Sequence, residues 1–197
     1  RLETAPDATG PWRSVAMTTP DHLLLTDPSL AGDHAYYRVV TLATAGDGGT
    51  SATVLAHAVD EASYDLEGEH VARVPFPTSL YAAVRHPRDL SHGPYPLVLM
   101  LHGNHGNCRP AGFPGTGDDD CRTLTTWQCT QPGYTSTPNE LGYIYLADTL
   151  ASKGYVVATI NANAINCRDT GGESPGWIRE RSQLLISHML KWQTWAT

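Results

Sequence analysis

The sequence predicts an α/β domain preceded by a short antiparallel β segment, and three observations carry that prediction. Leu97 to Leu101 form an unbroken apolar run that ends in the turn His102-Gly103-Asn104-His105-Gly106. A helix-spaced segment, Asn139 to Gly154, and a second apolar run, Tyr155 to Ile160, follow it, which gives the order strand, helix, strand. Residues 1 to 58 show no helical period and are cut by Pro, Asp and Gly into short β-type runs.

Those early runs are Trp12 to Met17, His22 to Thr26, Tyr36 to Leu42 and Ser51 to Leu55, the pattern of a small antiparallel sandwich. Ala35-Tyr36-Tyr37-Arg38-Val39-Val40, then Ala45-Gly46-Asp47-Gly48-Gly49 and Thr53-Val54-Leu55, resemble the last two strands of a fibronectin type III domain. Trp12 and Leu24 fall on earlier strands of that pattern. Such a domain needs about seven strands, so the resemblance implies an incomplete module with a scaffolding role. The acidic stretch Asp60 to Gly68 reads as a linker, which sets expected bounds of 1–58 for the β segment, 59–68 for the linker and 69–197 for the α/β part.

In the α/β part, the lack of alternation from Leu97 to Leu101 suits a strand buried on both faces of a parallel sheet. The turn after it sits at the carboxyl edge of that sheet, where open α/β folds place their chemistry. Gly103 and Gly106 permit a sharp turn whose amide N–H groups point above the sheet, the arrangement that stabilises an oxyanion. The next helix carries Leu141, Tyr145, Leu146, Thr149 and Leu150 at three- and four-residue steps, with Asn139 as N-cap and Gly154 as C-cap. A last helix runs from about Ser174 to Trp195. It carries Trp177, Ile178, Leu184, Leu185, Met189, Trp192 and Trp195 mainly on one face, and Arg179, Glu180, Arg181 and Gln183 away from it.

The turn resembles the oxyanion loop of the α/β-hydrolases. Together with the segment LASKGYVVATINAN and the long helix after it, residues 66 to 197 are similar to a group of secreted bacterial α/β-hydrolases. The resemblance implies an incomplete hydrolase sheet, with Glu69 to Arg73 and Ser79 to Arg85 as antiparallel leading strands. Leu97 to Leu101 would be the third strand, Tyr155 to Ile160 the fourth, and the two helices A and B. The oxyanion donors implied are the backbone N–H groups of Asn104 and then His105, on a turn built by His102, Gly103 and Gly106. The reaction implied is serine-dependent cleavage of an ester or related acyl bond, with the side chains of His105 and Trp127 as pocket-lining candidates.

The fifth strand, the nucleophile elbow and the remaining triad members would follow Thr197, so no triad residue is expected in this chain. The chain alone is expected to be inactive, and its expected partner is the remaining C-terminal part of the same precursor. The third strand then forms a sheet edge beside the fourth. Gly172-Glu173-Ser174-Pro175-Gly176 matches the nucleophile motif by letter only. No strand precedes Ser174, and Pro175 has no N–H to give an oxyanion; the pair instead suits an N-cap and first helical position. A non-catalytic extracellular scaffold or adhesion module is the reading from a different class.

Charge and composition set the remaining bounds. Thirteen basic against twenty acidic residues give a net charge of −7 without a basic cluster, which argues against nucleic acid. No apolar run is long enough to span a membrane, and the start RLETAPD is not a signal peptide, so the chain reads as processed or excised. Cys108, Cys121, Cys129 and Cys167 fit no zinc spacing and predict two disulfides in an oxidising, extracellular compartment, with three pairings open. The hydrolase resemblance implies Cys108 with Cys129, leaving Cys121 with Cys167. Asp118, Asp119 and Asp120 read as a solvated turn; neither a metal nor a cofactor is expected.

Overall fold

The computed structural model describes residues 1–17, 32–40, 49–66, 71–76, 78–113, 128–129, 132–167 and 177–196. The chain divides into two compact units, one of Arg1–Asp60, His86–Pro96 and Asp148–Val156, the other of Glu61–Arg85, Leu97–Ala147 and Val157–Thr197.

The first unit is built on a four-stranded sheet: β1 (Leu2–Ala5), β2 (Arg13–Ala16), β3 (His34–Val39) and β4 (Val54–His57), in the order β2-β1-β3-β4. The pairings of β1 with β2, β1 with β3 and β3 with β4 are antiparallel, as the β-type runs predict. The expected run His22 to Thr26 lies outside the described residues. The sequence gives no hint of β1, whose LETA has one apolar residue at each end and a Glu in a fully buried strand. Burial of Glu3 is tolerated because Arg1 Nη2 and Arg38 Nε reach its carboxylate at 2.7 and 2.8 Å. The Arg38 guanidinium in turn lies 4.2 Å over the Trp12 ring.

The second sheet is mixed and has the order β5-β6-β10-β7. Along the chain, β5 (Val59–Leu66), β6 (Leu80–Pro87) and β7 (Leu97–Leu101) are followed by a short antiparallel pair, β8 (Cys108–Pro110) with β9 (Tyr134–Ser136). A 3₁₀ stretch, Asn139–Tyr143, runs into α1 (Ile144–Ala151); β10 (Val156–Ile160), α2 (Asn163–Asn166) and α3 (Ile178–Trp195) complete the order.

β10 is the core of this sheet: Val157, Ala158 and Ile160 are fully buried, and antiparallel to it lie Ala82, Ala83 and Val84 of β6. β7 occupies the predicted residues, yet Leu97 is exposed and the other four are half-buried. The expectation of burial on both faces is therefore corrected: among the described residues β7 ends the strand order, as expected, and its side chains are only partly covered. The leading strand expected at Glu69 to Arg73 is also corrected. Val71 to Arg73 form no strand, Arg73 has φ 67°, and the strand lies earlier, as β5, inside the expected linker. The other end of the strand order tolerates its acidic residues, Asp60, Glu61 and Asp65, because edge positions keep charges in water.

Both helices turn faces that differ from the simple periodic reading. In α1 the buried positions are Ala147 and Ala151, while Leu141, Tyr145 and Leu146 are exposed. The 3₁₀ start advances the chain at about three residues per turn, which shifts the face counted from Leu141, and alanines let the helix approach closely. Gly154, with φ +88°, ends this segment as predicted; a Cβ there would lie 3.5 Å from His57 Nε2. In α3 the buried residues are Glu180, Leu184 and His188, so Glu180 does not face away as expected, and Ile178, Met189 and Trp195 are exposed. An aromatic hydrogen-bond chain sets this rotation: Trp192 Nε1 donates to Tyr64 Oη at 3.2 Å, which leaves the Tyr64 hydroxyl to donate to His188 Nδ1 at 2.6 Å. Burial pushes Tyr64 up to about 12 and His188 down to about 4, so both are neutral near pH 7. Ser174, Pro175 and Trp127 lie outside the described residues.

Cys108 and Cys129 are joined, with Cα atoms 5.6 Å apart, and the Cys129 N–H donates to Ser136 Oγ of β9 at 2.6 Å. Cys167 is also disulfide-bonded; Cys121 lies outside the described residues. No helix among the described residues is long and apolar enough to cross a membrane. Replacing Cys108 and Cys129 together by Ser is expected to lower the unfolding free energy by about 3 kcal/mol, read from urea midpoints of the oxidised proteins.

Candidate functional site

The turn after β7 lies entirely within the second unit, and a set of buried and half-buried side chains holds its carbonyl groups. His102 and Asn107 are buried, Gly103, Asn104 and His105 are exposed, and Gly106 is half-buried. From His102, Nε2 accepts the Ala162 N–H at 2.9 Å and Nδ1 donates to the Gly103 carbonyl at 2.8 Å, which fixes the neutral Nδ1–H tautomer. Burial, the larger effect, and the nearby Arg181 and His105 hold its pKa down at about 4.

The Gly103 carbonyl also accepts from Asn166 Nδ2 at 3.1 Å. Arg181 Nη1 donates to the His102 carbonyl at 3.2 Å, and its Nη2 meets Asn166 Oδ1. Asn107, with its amide oriented to satisfy its neighbours, donates to the His105 carbonyl at 3.2 Å and to Asn163 Oδ1 at 2.9 Å. The Gly106 carbonyl accepts from Asn139 Nδ2 at 3.1 Å, and the Asn107 carbonyl from the Thr137 N–H at 2.8 Å.

These anchors decide where the amides point. In a planar trans peptide the C=O of one residue and the N–H of the next lie on opposite edges. With the Gly103 carbonyl turned in to His102 and Asn166, the Asn104 N–H is directed away from both. Likewise the His105 carbonyl, turned to Asn107, directs the Gly106 N–H the other way. The glycines contribute less than expected. Neither Gly103 nor Gly106 adopts a left-handed φ, and a Cβ on Gly103 would meet His105 Nε2 at an ordinary 3.6 Å. The turn is held by hydrogen-bonded carbonyls, which needs no left-handed backbone.

Behind the loop lies a second tier of buried amides. Asn163, fully buried, donates from Nδ2 to the Thr137 carbonyl at 2.9 Å and accepts from Asn139 Nδ2 at 2.8 Å. Asn161 Oδ1 accepts the Asn163 N–H at 2.9 Å while its Nδ2 donates to buried Glu140, whose pKa is raised chiefly by desolvation. Asn139 is thus corrected from helix cap to loop anchor; Pro138 precedes the 3₁₀ stretch and no side chain caps it.

Of the site residues expected from sequence, His102 to Gly106 form one continuous loop, Cys108 begins β8 just after it, and the His105 ring lies 6.1 Å from that of His102. Trp127 falls outside the described residues. Sequence reasoning gave Asn107, Asn139, Asn161, Asn163, Asn166 and Arg181 no place in the site. A signal for three of them was present: asparagines at 161, 163 and 166 just after the mainly apolar run Tyr155 to Ile160, where buried amides demand partners. Chemically, the arrangement is a turn at the end of a sheet strand whose inward-held carbonyls turn the Asn104 and Gly106 N–H groups to the side opposite the anchors. No protein-family model matches this chain, and no curated protein or solved structure matches it.

Two outcomes follow from this geometry. Asn163→Ala takes one partner each from the Thr137 carbonyl and from the Asn139 and Asn107 amide nitrogens, which keep their contacts with the Asn139 N–H, the Gly106 carbonyl and the His105 carbonyl, and is expected to cost about 1 to 3 kcal/mol in unfolding free energy at pH 7, measured by urea denaturation. Protonation of His102 would place an N–H against the Ala162 N–H. Its folded pKa of about 4 lies below the unfolded value of about 6.5. Its contribution is therefore complete above pH 6.5 and is lost as pH falls toward 4, by about 3 kcal/mol. His102→Gln keeps an acceptor for Ala162 and does not titrate, so the urea midpoint of that variant is expected to fall less between pH 7 and pH 4 than that of the parent.

Proposed function

We propose that this chain supplies the oxyanion loop of a secreted serine hydrolase acting on an ester or related acyl bond, with the nucleophile contributed by a further part of the same precursor. The observation that carries this reading is the turn from His102 to Gly106. It follows a strand at the edge of a mixed sheet, next to the core strand β10, and its carbonyls are anchored inward. Placing the third strand beside the fourth, on the side away from the leading strands, is what the α/β-hydrolase resemblance implies.

In this mechanism the serine hydroxyl attacks the acyl carbonyl carbon and passes its proton to a histidine base. The carbonyl π electrons move onto oxygen as the new C–O bond forms. Asn104 N–H, with one N–H from the elbow, takes that oxyanion; collapse of the intermediate expels the alcohol, which recovers the proton. The loop contributes preorganisation, since its donors are already oriented when the charge appears. One such donor is worth about 100- to 1,000-fold in turnover. The Cys108–Cys129 bridge, joined in the segment directly after the loop, fits an oxidising compartment. The antiparallel sheet of the first unit serves as a fibronectin-like scaffold.

Among the described residues β7 is paired on one side alone, which favours a second reading, an extracellular assembly module that pairs its edge with another strand. A fluorophosphonate probe separates the two. The full-length gene product is expected to be labelled at a serine in a sequence segment beyond this chain, and the 197-residue chain alone is expected not to be. Absence of labelling in the full-length product would overturn the hydrolase reading in favour of the assembly module.

A further inference from the structure

We infer that Arg181, on the second turn of α3, is a positioning residue for the oxyanion loop: it orients the Asn104 amide through the carbonyl of His102 and the side chain of Asn166. The inference rests on the hydrolase reading and adds to it a residue that touches neither substrate nor reacting atoms.

Arg181 is half-buried and its guanidinium reaches two successive points of one chain of contacts. Nη1 donates to the His102 carbonyl at 3.2 Å, the last carbonyl before the turn. Nη2 donates to Asn166 Oδ1, and the same amide donates from Nδ2 to the Gly103 carbonyl at 3.1 Å. The rigid fork of the guanidinium can hold both acceptors at once. By taking Oδ1 of Asn166, it leaves that amide in the orientation whose nitrogen faces Gly103. If the amide were reversed, Oδ1 would face the Gly103 carbonyl and repel it. The consecutive carbonyls of His102 and Gly103 are thus both fixed by contacts that begin at Arg181, and the peptide planes after them fix the Gly103 and Asn104 N–H directions.

The placement of Arg181 is specified from within α3. Glu180, Leu184 and His188 form the buried face, and the Tyr64, His188 and Trp192 chain pins its rotation. With that face inward, Arg181 is carried to the end of β7. A lysine has one compact ammonium and cannot make the same planar double contact; a methionine keeps the aliphatic stem and loses both donors.

The test uses the full-length gene product carrying Arg181→Met or Arg181→Lys, with a p-nitrophenyl ester as substrate and a fluorophosphonate as probe. The expected result for Arg181→Met is a fall of about tenfold or more in kcat and in the labelling rate, with KM nearly unchanged. That split marks loss of an interaction made only in the transition state. Arg181→Lys is expected to fall between the two. If the parent is labelled and Arg181→Met matches it in kcat and labelling rate, the inference is overturned while the hydrolase reading stands. If the parent itself is not labelled, both fail. A fall in kcat accompanied by an equal rise in KM would mean a general loosening of the site and would also overturn it. Should Arg181→Met not fold, Arg181→Lys decides: a several-fold loss in kcat at unchanged KM supports the inference, and parental kcat overturns it.

Discussion

The constraint on which the second unit depends is the satisfaction of loop carbonyls by buried and half-buried side chains. A strand that ends at the edge of a sheet releases its chain into water unless something holds it back, and a buried carbonyl without a partner costs about 1 to 3 kcal/mol. At the end of β7 the chain meets His102, Asn107, Asn139, Asn166 and Arg181, which take the carbonyls of His102, Gly103, His105 and Gly106 in turn. The directions of the Gly103, Asn104, Gly106 and Asn107 amides follow from those contacts and peptide planarity. Glycine's conformational freedom, the usual reason to expect such a turn, has a smaller part in it.

The anchoring works only because the anchors are fixed themselves. β10 is buried from Val157 to Ile160 and delivers Asn161 and Ala162 to the base of the loop. His102 is neutral there because burial makes its charged form costly, and neutrality leaves Nε2 able to accept the Ala162 N–H. On the far side, α3 is fixed by a hydrogen-bonded aromatic chain in which Tyr64 and His188 are also kept neutral by burial. The same physical effect, desolvation of a titratable ring, therefore sets the hydrogen-bond roles both under the loop and under the helix that carries Arg181.

Much of this was legible where the signal is local. The apolar run Leu97 to Leu101 and the strand after Gly154 stand where their composition places them, and Gly154 ends the preceding segment in the left-handed conformation that its residue type allows. What could not be read depends on distant neighbours. β1 is stable as a buried strand because Arg38, 35 residues away, meets Glu3, and no local pattern encodes that. β5 resembled a linker because an edge strand keeps its acids in water. The face of α1 was misread because Ala147 and Ala151, which carry little hydrophobic signal, are what the packing buries. In the site, the positions of the five loop residues were evident from sequence, whereas their anchors are polar residues scattered from 107 to 181 whose common purpose exists only in three dimensions.

α2 shows why the anchoring network is built from amides. Four residues long, it is far too short to persist by its own backbone bonds, since helix nucleation is unfavourable below about 12 residues in isolation. Yet Asn163, Ala164, Ile165 and Asn166 are all buried. Their order comes from side-chain contacts made in opposite directions: Asn163 faces the 3₁₀ stretch through Thr137 and Asn139, and Asn166 faces the loop through Gly103 and Arg181. An apolar α2 would bury as well but would not distinguish one rotation from another. Amides, which have a donor end and an acceptor end, accept only the arrangement in which every partner is matched. The turn after β7 inherits its single geometry from that selectivity.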